Sequence, residues 1–171
     1  MENKTIEFSI QAENGETKII IKEVYGFPNS TSHFGGYDTT SKIEIRSSDN
    51  YGSEYFLSAH FHISTGDIFL FYDQLLKCYE KLSGTAYLSN YEDNLNLQLI
   101  FDVNGTCKVK GIYMDNSILN NRLMFNLNLD QSYLRSTLID LKLIHEKYGD
   151  QYGKKRYKAD NTGLAIAGLS C

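Results

Sequence analysis

His60 and His62 are the side chains best spaced to do chemistry in this 171-residue chain. They flank Phe61, so on a strand they share one face, about 7 Å apart, and could offer two imidazoles to a transition metal. Such a site needs a third ligand, and nothing in the sequence supplies it. Leu57, Phe61 and Ile63 mark the opposite face, which leaves both histidines on the wetter side as exposed strand residues. Glu92 and Asp93 could act as an acid pair, but adjacent carboxylates on a turn are usually solvated. Serines and histidines are present without the Gly-x-Ser-x-Gly of a nucleophile elbow. Gly35-Gly36 leads to a strand, not to the helix that a phosphate-cradling loop requires. Residue chemistry therefore gives no catalytic signature, and no catalytic residue, cofactor or metal is expected.

The elements must then explain what the chain holds in place. Ile6 to Ile10 and Lys18 to Val24 alternate as strands around Asn14-Gly15, a hairpin signal. Gly26 to Ser41 is rich in Gly, Ser, Thr and Asn and reads as a long loop. Ile43 and Ile45 mark the next strand, and Tyr55 to Ile63 another with a clean inward face. Thr65 or Asp67 can cap a helix whose stripe is Ile68, Phe71, Tyr72, Leu75, Leu76, Tyr79 and Leu82, with Gly84 as its stop. Leu95 to Val103, Cys107 to Tyr113 and Leu123 to Leu129 alternate with period two. A second helix starts near Asp130 or Ser132, carries Leu134, Leu138, Leu141, Ile144 and Tyr148, and ends at Gly149.

The turn at Asn104-Gly105 shows how pattern fixes register. A two-residue turn would set Phe101 against Lys108 and Leu99 against Lys110, placing lysines on the leucine face. A three-residue loop, Val103 to Gly105 with Gly105 left-handed, pairs Phe101 with Cys107, Leu99 with Val109 and Leu95 with Tyr113. The second register is expected.

Composition narrows the class. Hydrophobic content of 42% and charged content of 22% are ordinary for a globular domain of this length. The net charge of −4 gives no reason to bind nucleic acid and suits a basic partner. Cys78, Cys107 and Cys171 are too few and scattered for a disulfide framework or zinc site; the first two read as small buried hydrophobes. The opening MENKTIEFSI lacks a signal-peptide pattern, no apolar run suits a membrane helix, and Cys171 is misplaced for prenylation. A soluble, cytoplasmic protein is expected. After Gly149, the cluster Lys154, Lys155, Arg156 and Lys158 and the small-residue run to Cys171 read as a tail beyond the domain. The outward strand face (Asn96, Gln98, Ile100, Asp102, Lys108, Lys110, Ile112) is neither a basic stripe nor a base-stacking platform, and would suit a protein interface.

One ordered set of motifs resembles a known family. Ser64-Thr65-Gly66-Asp67 opens a Phe/Tyr-rich helix and is followed by Leu82-Ser83-Gly84-Thr85-Ala86, Glu92 and Asn94-Leu95-x-Leu97. Then come Asn104-Gly105, Val109-x-Gly111, and Leu123-x-Phe125 leading to Asp130-Gln131-Ser132-Tyr133-Leu134. Across residues 54–148 this order is similar to the WapI-like immunity proteins. The resemblance implies a small cytosolic inhibitor that neutralises the toxic C-terminal domain of a polymorphic secreted toxin, often a nuclease. It transfers no binding residue to a numbered position.

The resulting expectation is one α+β domain over residues 1–148, with a single mostly antiparallel sheet of about seven or eight strands and two helices packed on one face. Residues 149–171 would be a tail, dispensable for protection. The partner would be a cognate toxin domain, with no direct nucleic acid and no membrane. Exposure and charge single out Asp38, Glu92 and Asp93 as its contacts. The alternatives are a non-catalytic small-molecule or peptide-binding module, with a pocket lined by Tyr25, Phe27, Phe34 or Tyr37, and a metal-dependent enzyme built on His60 and His62.

Overall fold

The computed structural model describes residues 6–25, 35–116, 118 and 120–154. Its order is β1 (Ile6–Ala12), β2 (Gly15–Tyr25), β3 (Asp38–Ser48), β4 (Glu54–Ser64), α1 (Thr65–Lys81), β5 (Gly84–Ser89), β6 (Leu95–Phe101), β7 (Thr106–Met114), β8 (Arg122–Asp130) and α2 (Leu134–Tyr148), the last entered through a 3₁₀ turn, Gln131–Tyr133. All strand pairs are antiparallel. The α+β expectation holds, with one correction: the strands form two four-stranded sheets, β1-β2-β3-β4 and β5-β6-β7-β8, not one. The helix between β4 and β5 carries the chain from the first sheet to the second.

Alternation decides what each sheet buries. Phe8, Ile10, Ile19, Ile43, Ile45 and Ile63 line the inward face of the first sheet, and Leu88, Leu95, Leu97, Leu99, Val109 and Leu127 that of the second. With Ile68, Phe71 and Leu75 from α1 and Leu134, Leu141 and Ile144 from α2, they make one continuous core. Each such side chain contributes on the order of 1.5–3 kcal/mol by leaving water. The helices pack on each other as well, the His145 ring lying 4.9 Å from Phe69 and 5.8 Å from Tyr72.

The three-residue loop between β6 and β7 stands as expected. Phe101 pairs with Cys107, Leu99 with Val109 and Leu95 with Tyr113, and Gly105 has φ +76°. In the same sheet Gly111 lies opposite Phe125, whose ring would be only 2.0 Å from an added Cβ. The aromatic ring covers the strand where a side chain is missing. Cys78 and Cys107 are buried free thiols; burial pushes Cys107 up to about 11, which keeps it inert.

Several boundaries differ from the sequence reading. The first hairpin turns at Glu13-Asn14, with Gly15 already paired to Ala12. The expected long loop is shorter, because Asp38 to Ser41 belong to β3; residues 26–34 lie outside the described ones. Ser64, not Thr65 or Asp67, caps α1, and Asp67 completes a reciprocal capping box with it. At the other end the left-handed residue is Leu82, two positions before Gly84. In β4 the inward face is clean only in its second half: Phe61 and Ile63 are buried, Leu57 and Ala59 half-buried, and Tyr55 is 56% exposed.

Side chains from other elements meet all four sheet edges, β4 only at the end where Asn90 donates to the His62 carbonyl (2.7 Å). Thr137 of α2 donates to the Ser9 carbonyl at the β1 edge (2.7 Å), and the Tyr87 N–H at the β5 edge donates to Gln74 of α1 (2.9 Å). At β8, Asn128 donates to the Asn14 side chain (3.0 Å) and accepts from the Glu13 N–H (3.0 Å). These bonds satisfy backbone groups that would otherwise invite another strand.

Candidate partner-binding surface

Asp38, Glu92 and Asp93 come from distant parts of the sequence and meet at one end of the first sheet. Asp38 opens β3 opposite Ser64, the residue that caps α1. Glu92 and Asp93 lie in the turn between β5 and β6, which a buried pair of asparagines fixes to β4. Asn90 donates to the His62 carbonyl (2.7 Å) and to Asn94 (2.6 Å), and accepts from the Leu95 N–H (3.0 Å). The turn is thereby held between the two sheets, with Asp93 in the left-handed region at φ +53°.

Tyr91 precedes Glu92 in the same turn. Burial pushes its phenol up, and the charge of Glu92, then Tyr25, Asp38 and Asp67, pushes the same way. Asp67 is itself raised, mainly by burial, against the lowering effect of its Ser64 hydrogen bonds, with Asp38 adding to the rise. Glu92 and Asp93 are exposed and Asp38 is half-buried. None of the three has a basic partner among the described residues. Among the described residues, this end of the molecule therefore presents carboxylates without an ion-pair partner beside Tyr25, itself 44% exposed.

His60 is exposed on the outward face of β4, and His62 sits with Nδ1 3.2 Å from the Thr39 carbonyl. Among the described residues no group of three His, Cys, Asp or Glu could hold a metal ion. No described helix is long and apolar enough to cross a membrane. Of the pocket residues expected for a ligand, Phe27 and Phe34 lie outside the described ones, while Tyr37 packs edge-on against Tyr148 at 5.9 Å.

Two adjoining clefts of about 550 and 450 Å³ lie instead at the other end of β3, sharing Asn14, Ser47, Ser48 and Tyr55. Arg46 and Phe56 line one, stacked at 5.0 Å, and Arg122 and Met124 line the other. The sequence reading missed both Asn90–Asn94 and this aromatic end. An asparagine at each end of a turn was the available signal for the first. The second depends on the turn that joins β1 and β2 meeting β8, which no local pattern reveals.

These surfaces are acidic at one end and aromatic at the other, and buried hydrogen bonds pin the β5–β6 turn at the acidic end. Comparison with family models places the chain more narrowly: it matches the WapI-like immunity protein family over residues 7–149, and it belongs to that family. The match reaches back to β1, well before the motifs at residues 54–148. No curated protein and no solved structure matches the chain.

Proposed function

We propose that this protein is a cytoplasmic immunity protein that neutralises the C-terminal domain of a polymorphic bacterial toxin, a nuclease, by tight binding and without catalysis. Membership of an immunity-protein family over most of the chain is the observation that carries the reading. A blocking inhibitor needs a complementary surface rather than a reacting group. The unpaired carboxylates Asp38, Glu92 and Asp93 supply one suited to a nuclease, because a surface that holds phosphate is basic. Complementary fields speed encounter and suppress wrong partners.

Co-expression tests the reading: the protein should restore growth to cells making the toxin domain encoded beside it. Asp38→Lys, Glu92→Lys and Asp93→Lys combined should leave the fold intact, slow association about tenfold or more and flatten its salt dependence. Unchanged binding by that variant would move the interface away from this end. A ligand- or peptide-binding module is the second reading, favoured by the paired clefts around Tyr55. Rescue of growth without any added ligand would set it aside.

A further inference from the structure

The β4 edge keeps the longest open run of the four among the described residues. Thr65 donates to the Tyr37 carbonyl at one end of the β3–β4 ladder and Asp49 to the Ser53 carbonyl at the other, with no slip of register between them. Odd-numbered residues of β4 thus exchange hydrogen bonds with β3, and even-numbered ones point their N–H and C=O groups away from it. At the far end Asn90 takes the outward His62 carbonyl. Glu54, Phe56, Ser58 and His60 keep theirs unpaired among the described residues, on a strand with no proline and no bulge. This open run lies between the turn and Asn90, and its midpoint is Leu57.

We propose that two copies of this chain pair through these edges, β4 antiparallel to β4, making one eight-stranded sheet centred on Leu57. Using the whole open run requires Glu54 to oppose His60 of the second copy and Phe56 to oppose Ser58. That register is self-complementary on both faces. On the outward face, the Glu54 carboxylate would meet His60 backed by its in-chain neighbour Lys42, and Phe56 with its stacked Arg46 would meet Ser58 beside Glu44. On the inward face Leu57 would meet Leu57, and the ring of Tyr55 would meet Ala59. Phe56 and Tyr55, 60% and 56% exposed in the single chain, would lose water there. Sliding by one pair in either direction breaks the Glu54–His60 match. A two-fold axis perpendicular to the sheet closes the assembly at two, so the pairing does not propagate.

Sedimentation equilibrium of the full chain, without toxin, tests this. The wild type should show a concentration-dependent dimer. Ser58→Pro removes an N–H that the single chain does not use, and edge strands tolerate proline there; it should abolish the dimer. Glu54→Lys should weaken it about tenfold, since symmetry doubles each lost cross-strand pair. Glu54→Lys with His60→Glu should restore it. Circular dichroism checks that each variant is folded, and the two surface variants cover a failure of the proline. A wild type that stays monomeric throughout, or a dimer that ignores both Ser58→Pro and Glu54→Lys, would overturn the proposal. So would a monomeric chain whose Ser58→Pro variant no longer binds toxin, because β4 would then belong to the toxin.

Discussion

At Gly105 the backbone has φ +76°, and a Cβ added there would meet the Gln131 side chain at ordinary contact distance, 3.6 Å. A substitution there is opposed by backbone strain rather than by crowding. Gly105→Val should cost about 1–3 kcal/mol, because β-branched residues fit that region worst. Asn104→Ala should cost clearly less. Thermal melts of the two variants check this, and equal losses would contradict the bulged loop. Carboxylates make a second test at this scale. Hydrogen bonds from the backbone of Ser53 and Tyr51 hold Asp49 below its ordinary value, and the Ser132 backbone does the same for Asp130. Their folded forms release the proton more readily than the unfolded chain, so their stabilisation is present above about 3.8 and lost as pH falls below it. Asp67 has the opposite sign. Burial raises it, so its contribution is present at low pH and is lost as pH rises through its folded value. Urea unfolding across pH should show Asp67→Asn gaining on the wild type as pH rises above 3.8, and Asp49→Asn with Asp130→Asn losing their deficit as pH falls below it.

At the scale of elements, strands and their inward faces were legible because alternation is local. The β6–β7 register followed from keeping lysines off the leucine face. The division into two sheets was not legible. Period-two patterning says which side of a strand is buried but not which strand lies beside it. In the fold the β5, β1 and β8 edges meet Gln74, Thr137 and Asn14, which lie 13, 128 and 114 residues away along the chain. The Ser64 cap was hidden for a different reason: Ser64, Thr65 and Asp67 are all capping residue types, and only the turn geometry selects among them. Thr137→Val tests the edge argument. It keeps the side chain's shape and leaves the Ser9 carbonyl without its partner, which should cost about 1–2 kcal/mol. A chemical-denaturation curve unchanged from the wild type would mean that water replaces the hydroxyl and that the edge is open.

Across the whole molecule, the carboxylates singled out from the sequence, Asp38, Glu92 and Asp93, gather at one end, although exposure and charge alone could not show that they would. The chain beyond α2 also joins that end. His145 Nδ1 lies 2.9 Å from the Gly149 carbonyl, Asp150 bridges Gly153, and the Gln151 carbonyl sits against Gly35 and Gly66 so closely that neither could carry a Cβ. A chain ending at Tyr148 should therefore melt several degrees below the full chain. Differential scanning calorimetry checks this, and an unchanged midpoint would mean that these contacts carry no stability.

Whether this surface belongs to an inhibitor is tested most directly by titrating the purified chain with a purified cognate toxin domain and following binding by calorimetry at two salt concentrations. The expected result is a saturable complex of one immunity chain per toxin domain, nanomolar or tighter and weaker at the higher salt. Two folded partners that give no heat and no co-elution would contradict it.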